Sequence, residues 1–504
     1  MLRTAETDCG RVRGIPAADP RITAFKGIPF AAPATGKNRW RAPQPCEKWD
    51  GILDCARFAP ISVQDRPAVG TDIYCREWHV DPDIEMSEDC LYLNVWTPAK
   101  KADEKLPVLV WFFGGALQWG YPAEMEFDGE RLARRGIIVV TVNYRINVFG
   151  FLAHPELTAE APDAPTNFGS LDQQAGLKWV QRNIAAFGGD PSNVTIAGQS
   201  AGGGSVLSQI ACPSNKGLFD KAVVMSAMIK SAFGDFSIGS PVSMEQGEQM
   251  GVELFEVLGV KNLEEARALD AATVLAGYNE YKAQKGVMFM GVEDGRFSIG
   301  DPIKIFREGK GNDVAMMAGN TADEFLNCIH ASNEEELAKA AEKLFGDSAE
   351  EFLAFEEAHR YVEGMGYTPL SGIELTAKDA FEKVAASGRT KPCYYYRFDT
   401  DIPGWDNPGT FHSVDLWFFF ETLAKCWRPF KGRHYDLSRQ MCNYWANFIK
   451  TGNPNGCDND GMPMQEWIPY TKENPFAMIF GKEGPVIHRE EPTPYQRFLM
   501  ERVK

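Results

Sequence analysis

Ser200 lies at the centre of Gly198-Gln199-Ser200-Ala201-Gly202, inside the stretch TIAGQSAGGGSV that runs from Thr195 to Val206. A serine in a Gly-x-Ser-x-Gly pattern can attack an acyl carbon when a sharp turn lifts its hydroxyl and a neighbouring base takes its proton. In a chain with 47 glycines among 504 residues the pattern alone is weak, so its flanks carry the argument. Before it, SNVTI reads as a short buried strand; after it, SAGGGSVLSQIAC passes from small residues into an apolar helical pattern. Strand, sharp turn and helix is the setting that strains a serine into an exposed position. The flanking glycines fit a place where strand and helix nearly touch.

A serine hydroxyl needs a base, usually histidine, and an acid that fixes the imidazole tautomer. For serines on such a turn the acid and then the histidine follow later in the chain. Five histidines come after Ser200: His330, His359, His412, His434 and His488. His359 in FEEAHRY, His434 in KGRHYDL and His488 in VIHREE read as surface residues, while His330 closely follows a strand end. His412, in GTFHSVDLWFFF, sits in a loop entering an aromatic element, the best position of the five for catalysis. For the acid, DVAMMAGNTADEFLNC supplies a strand and then a turn with Asp323 and Glu324, and either carboxylate suits. An oxyanion needs convergent backbone N–H donors. Ala201, just after the serine, and the small residues Gly114, Gly115 and Ala116 in LPVLVWFFGGALQWG supply them.

The elements that must position these groups alternate along the chain. The first hundred residues are β-rich, with RITAFKGIPFAAP and CLYLNVWTP reading as strands, and a small N-terminal β region is expected. LPVLVWFF and GIIVVTVNY are near-continuous apolar runs, as in strands buried on both faces, and KAVVMSA, VAMMAGN and CYYYRFD are further strands. AEMEFDGERLARRG and SLDQQAGLKWVQRNIAAFGGD read as helices. The pattern predicts an α/β fold: a large, mostly parallel sheet flanked by helices, in one catalytic unit over 1–504. Polar helical insertions at about 233–300 and 330–390 are expected over the active site; the second opens on a capping box from Ser332 to Glu335.

Composition narrows the partners. The chain is 44% hydrophobic with a formal net charge of −17, which disfavours nucleic acid. No apolar run is long enough to span a membrane, and no secretory leader is visible, so a cytoplasmic enzyme is expected. Eleven cysteines form no C-x-x-C pair or zinc pattern and read as reduced thiols; Cys75 and Cys90 could pair only in an oxidising compartment.

Taken in order, FKGIPFAAP, EDCLYLNVWTP, NYRINVFGFL, NFGSLDQQAGLKWVQRNIAAFGGDPSNVTIAGQSAGG, FHSVDLWF and YWANFIKTGNPN resemble blocks of the type-B carboxylesterases, the carboxylesterase/cholinesterase branch of the α/β-hydrolase fold. The resemblance covers nearly the whole chain. It implies Ser200 as nucleophile, Glu324 rather than Asp323 as acid, His412 as base, and Gly115, Ala116 and Ala201 as oxyanion donors. It implies no metal and no cofactor, and a small-molecule ester as substrate for a monomer or small homo-oligomer. Three departures stand out: Gln199 where the family usually has Glu, Phe113 where it often has His, and Ala116 for a third glycine. Gln199 removes a negative charge beside the histidine and weakens a cationic substrate. Gly114, Gln199, Trp119, Phe325 and Trp417 are the expected substrate contacts, and the rings at Trp119, Tyr121, Phe325 and Trp417 to Phe420 favour small or aromatic, feruloyl-type acyl groups. A general short-chain or lipase-like esterase, or a non-catalytic binding protein on the same fold, are the alternatives.

Overall fold

The computed structural model describes residues 1–233 and 240–502. Among these, eleven strands form the central sheet. Numbered along the chain they are β1 Ile15–Pro16, β2 Thr23–Pro29, β3 Tyr92–Thr97, β4 Leu106–Phe112, β5 Ile138–Val142, β6 Gly189–Gln199, β7 Lys221–Met225, β8 Ala315–Thr321, β9 Cys393–Asp399, β10 Phe476–Gly481 and β11 Gly484–Arg489. Their order across the sheet is β11-β10-β9-β8-β7-β6-β4-β5-β3-β2-β1. From β10 to β5 every neighbouring pair is parallel; β11 at one edge and β3, β2 and β1 at the other run antiparallel. The apolar runs read from the sequence account for this. Val108 to Phe112 and Ile138 to Val140 are fully buried, as central strands covered on both faces must be. A separate three-stranded sheet, Thr4–Glu6, Arg11–Arg13 and Ile52–Asp54, makes the small N-terminal β region.

The helix Phe168–Asn183 packs on the sheet with Leu177, Trp179 and Val180 buried, and the helix Ala201–Ala211 starts directly from β6. Two local expectations need correction. AEMEFDGERLARRG is not one helix but a 3-10 turn, Met125–Phe127, and one α-helical turn, Glu130–Ala133. Asp128 breaks it, because its carboxylate accepts the Glu130 N–H and starts the second turn afresh. The expected capping box does not form, and the N-cap lies one residue later, at Asn333. Asn333 caps the helix Glu334–Phe345 by accepting the Glu336 N–H, while Glu335 pairs with Lys339 on the exposed face.

The insertion expected at 233–300 falls partly on 234–239, outside the described residues. Its helices Met244–Leu258, Leu263–Ala268 and Ala271–Lys285 build their own apolar cluster with Trp40, Phe149 and Phe168. The 330–390 region packs with the C-terminal Tyr495, Phe498 and Leu499. No described helix is long and apolar enough to cross a membrane. All eleven cysteines, Cys75 and Cys90 included, are free thiols.

Candidate active site

Parallel strands place their following loops along one edge, outside their carboxyl ends, where open α/β sheets bind ligands. Here β4 leads into the Gly114–Ala116 loop, β6 into Ser200, β8 into Glu324, and β9 into the loop that carries His412. Four separate segments thus meet at one edge.

Ser200 caps the helix Ala201–Ala211 with φ 54° and ψ −126°, a conformation that costs a residue with a Cβ about 1–3 kcal/mol. The turn is held by the Ser200 N–H donating to Met225 O on β7 (2.8 Å) and by the close approach of strand and helix. A Cβ on Gly202 would sit 2.1 Å from Phe112 O, and one on Gly198 2.3 Å from Gly202 O. Both positions therefore demand glycine.

His412 is buried and its Nδ1 lies 2.6 Å from Glu324 Oε2. The other carboxylate oxygen, Oε1, accepts the N–H (3.1 Å) and hydroxyl (2.9 Å) of Thr321 at the end of β8. Burial alone would push the Glu324 carboxyl up, but His412 and these hydrogen bonds hold it below the ordinary carboxylate value, so it stays ionised. An ionised partner fixes the proton of neutral His412 on Nδ1 and leaves Nε2 as acceptor. The Gln199 side-chain amide lies 3.2 Å from that Nε2. Asp323, the other carboxylate of the turn, does not reach the imidazole. It accepts the Thr410 N–H (2.7 Å) and hydroxyl (3.0 Å), latching the histidine loop to the acid turn.

Gly115, Ala116 and Ala201 line the same cavity as Ser200 and His412, together with Gly114, Gln199, Trp119 and Phe325. Among the described residues no acceptor takes the N–H of Gly115 or Ala116. The Ala201 N–H opens a helix and has no intrahelical partner. Phe113, in place of the family's frequent His, supports the loop differently. Its ring stacks on Tyr144 (centroids 4.1 Å apart), whose hydroxyl donates to Phe113 O (2.5 Å).

The cavity encloses about 500 Å³. Trp119, Tyr121 and Phe325 line it as expected, and Phe325 packs on the His412 ring (4.6 Å). Trp417 does not line it, nor do Phe418 to Phe420: all four are fully buried in the core. The reason is the indole N–H of Trp417, which needs a buried acceptor and finds Glu77 Oε2 (3.1 Å). Glu77 also pairs with the fully buried Arg428 (2.7 Å) and accepts from Trp427 Nε1 (3.1 Å). This network backs the pocket wall, with Trp417 6.2 Å behind Trp78.

Sequence reasoning missed Tyr74, Trp78, His79, Glu124 and Phe127, which also line the cavity. Tyr74 and Trp78 are four residues apart on the helical turn Ile73–Glu77 and its cap, a spacing that puts both rings on one face and was legible. Glu124 and Glu126 were not. Burial, with the nearby Glu124 charge, pushes the Glu126 carboxyl well above its ordinary value. His79 Nε2 lies 3.5 Å from Glu124 on the cavity side. Burial lowers its proton affinity, but Glu124 and Asp72 outweigh that and leave His79 raised. Among the described residues that line the cavity, none comes from the insertions. His434, read as a surface residue, is buried: its Nδ1 accepts the Lys431 N–H (2.9 Å) and its Nε2 lies 3.0 Å from Asp401 O.

A mostly parallel sheet with a strained serine turn, an acid–imidazole pair and a glycine-rich loop at one edge has the α/β-hydrolase fold. Comparison with known proteins narrows it further. The carboxylesterase family model matches residues 2–366 and 367–496, and the chain belongs to that family. It is 31% identical to para-nitrobenzyl esterase of Bacillus subtilis (strain 168) over 510 residues, 98% of each chain. It is 30% identical to the fumonisin B1 esterase of Sphingopyxis macrogoltabida over 488 residues, 89% of this chain and 82% of that one. A solved PNB esterase structure superposes with a TM-score of 0.79 at 28% identity, covering 99% of both chains. The protein is thus a carboxylic-ester hydrolase.

Proposed function

We propose that the chain is a serine carboxylesterase acting on neutral esters through an acyl-enzyme, with small or aromatic acyl groups preferred. The observation that carries this is the buried 2.6 Å bond between Glu324 and His412 in the cavity that also holds the strained Ser200. His412 Nε2 takes the Ser200 proton as Oγ attacks the ester carbonyl. The resulting oxyanion rests on the N–H groups of Gly115, Ala116 and Ala201. The C–O bond to the alcohol breaks, and His412 returns the proton to the leaving alkoxide. Water, deprotonated by His412, then attacks the acyl-serine; the acid departs and Ser200 regains its proton. Glu324 stays ionised throughout and holds the imidazolium.

The substrate preference rests on the rings of Tyr74, Trp78, Trp119, Tyr121, Phe127 and Phe325 around a cavity of about 500 Å³. Flat rings there add about 0.5–1.5 kcal/mol per aromatic contact beyond burial. A relative is named for a para-nitrobenzyl ester, whose ring lies on the alcohol side, so it supports an aromatic-lined pocket and leaves the acyl preference to the rings alone. Free thiols throughout support a reducing compartment such as the cytoplasm. The test is a panel of methyl and nitrophenyl esters of graded acyl size, combined with fluorophosphonate labelling and peptide mapping. Label on Ser200 and a higher kcat/KM for methyl ferulate than for a nitrophenyl octanoate are expected. Label elsewhere sinks the mechanism; ferulate left intact beside a good octanoate turnover makes the protein a general or lipase-like esterase.

A further inference from the structure

The loop that carries Gly115 and Ala116 holds three consecutive residues with positive φ: Gly115 at 106°, Ala116 at 54° and Leu117 at 58°. Glycine takes this region freely, whereas Ala116 and Leu117 are strained in it. Such a loop keeps its shape only if its surroundings over-determine it. The next residue, Gln118, is buried and supplies the restraint. Tyr278 Oη donates to Gln118 Oε1 (2.5 Å), Gln118 Nε2 donates to Phe289 O (3.0 Å), and the Phe289 N–H donates back to Tyr278 Oη (3.2 Å). The three groups close a ring of hydrogen bonds away from solvent. Tyr278 stands on the helix Ala271–Lys285, in the first insertion. The same helix places Lys282 Nζ over the rings of both Tyr278 (4.8 Å) and Trp119 (5.9 Å). It also donates from Asn279 to Asp65 on the cavity wall (2.6 Å).

Peptide geometry links this clamp to the chemistry. The backbone N–H groups of Gln118 and Trp119 both donate to Gly115 O, at 2.8 and 2.9 Å. The Gly115 carbonyl and the Ala116 N–H belong to one planar trans peptide, so they point in opposite directions. Gripping the carbonyl from one side aims the N–H out of the other. We infer that Tyr278, acting through Gln118, is a positioning residue that aims the Ala116 N–H at the oxyanion. The first insertion would then serve as a brace behind the loop. The inference rests on the proposed role of Gly115 and Ala116 as oxyanion donors.

The experiment compares Tyr278→Phe, Gln118→Ala and the double variant, with active sites counted by fluorophosphonate titration. A donor mis-aimed by a fraction of an ångström weakens transition-state binding and leaves ground-state binding alone, at a cost of roughly 10- to 100-fold. Expected are a loss of that size in kcat per titrated site for each single variant, KM within about twofold, and an equal weakening of a trifluoromethyl ketone inhibitor. The double variant should lose no more than the worse single one, since both break one clamp. Normal kcat per titrated site in Tyr278→Phe, additive losses, or a loss of kcat with unchanged ketone affinity would each overturn the inference. Tyr278→Phe keeps the ring and its packing, so it decides the matter even if Gln118→Ala fails to fold. An active wild type with indifferent variants removes this inference alone; an inactive wild type removes the proposed function as well.

Discussion

Asp415 is a carboxyl with no exposed surface, three residues after His412. Its Oδ2 accepts the Tyr396 hydroxyl (2.9 Å), and its Oδ1 has no partner. Burial lifts its pKa from 3.8 to about 7; the Glu324 charge adds to the rise, while Tyr396 and His412 oppose it. The sign follows from linkage. Below the unfolded value both states hold the proton, and Asp415 has no pH-dependent effect. Between the two values the unfolded chain ionises while the native one does not, so stability falls as pH rises. A shift of about 3 units at about 1.4 kcal/mol each makes the full loss about 4 kcal/mol above pH 7. Asp415→Asn removes that slope. The amide oxygen still accepts from Tyr396, but the new NH2 takes the unpartnered position, at about 1–3 kcal/mol. The variant should therefore be level with the wild type or less stable near pH 4.5, and about 1–3 kcal/mol more stable near pH 8. Urea unfolding followed by tryptophan fluorescence across this range measures the crossing. Parallel curves for the two proteins would refute the buried titration.

Ser200→Ala or His412→Ala should lower kcat by about 10⁴–10⁶, and Glu324→Gln by about 10⁴, with circular dichroism unchanged; near-normal turnover of Ser200→Ala in stopped assays would reject the triad. Ser200→Gly should be inactive yet more stable by about 1–3 kcal/mol, because glycine takes the positive φ without strain; calorimetry showing no gain would mean the turn is unstrained. Gln199→Glu places a carboxylate near His412 Nε2, so the acid limb of kcat/KM against pH should move upward, and an unmoved limb counts against this placement. Gly202→Ala should abolish soluble expression or activity, since its Cβ would meet Phe112 O at 2.1 Å; a stable, active variant would show that strand and helix can part.

The sheet was legible because its strands carry short apolar runs and are buried over five to seven residues, as in β4, β5 and β8. No alternation was needed, and helices had to cover both sides. The serine turn was legible because glycine at 198 and 202 answers a local steric demand that shows in the sequence. The candidate acid was half legible. Asp323 and Glu324 are adjacent, and spacing alone cannot tell which side chain turns inward; the family resemblance pointed to Glu324. The structure shows the division between them: Glu324 turns in to His412, while Asp323 turns out to hold Thr410.

The aromatic run at Trp417 to Phe420 marks where such reading stops. An apolar ring beside a catalytic loop suits a pocket and a core equally well, and the deciding contact is 340 residues away in the chain: the Trp417 indole nitrogen meets Glu77 Oε2. Long-range polar partners of this kind leave no period and no motif. The same holds for Arg428 in KCWRPF, which is fully buried between Glu77 and Asp406. A buried arginine costs free energy unless both carboxylates are in place. Its pairing therefore fixes the Ile73–Glu77 turn and the Trp405–Trp427 region as one body. That body carries Tyr74 and Trp78 on one side, and Arg428 lies over the ring of Phe411, the residue before His412, on the other (5.4 Å). The cavity wall formed by Tyr74 and Trp78 thus rests on an ion-pair network whose members lie far apart in the sequence.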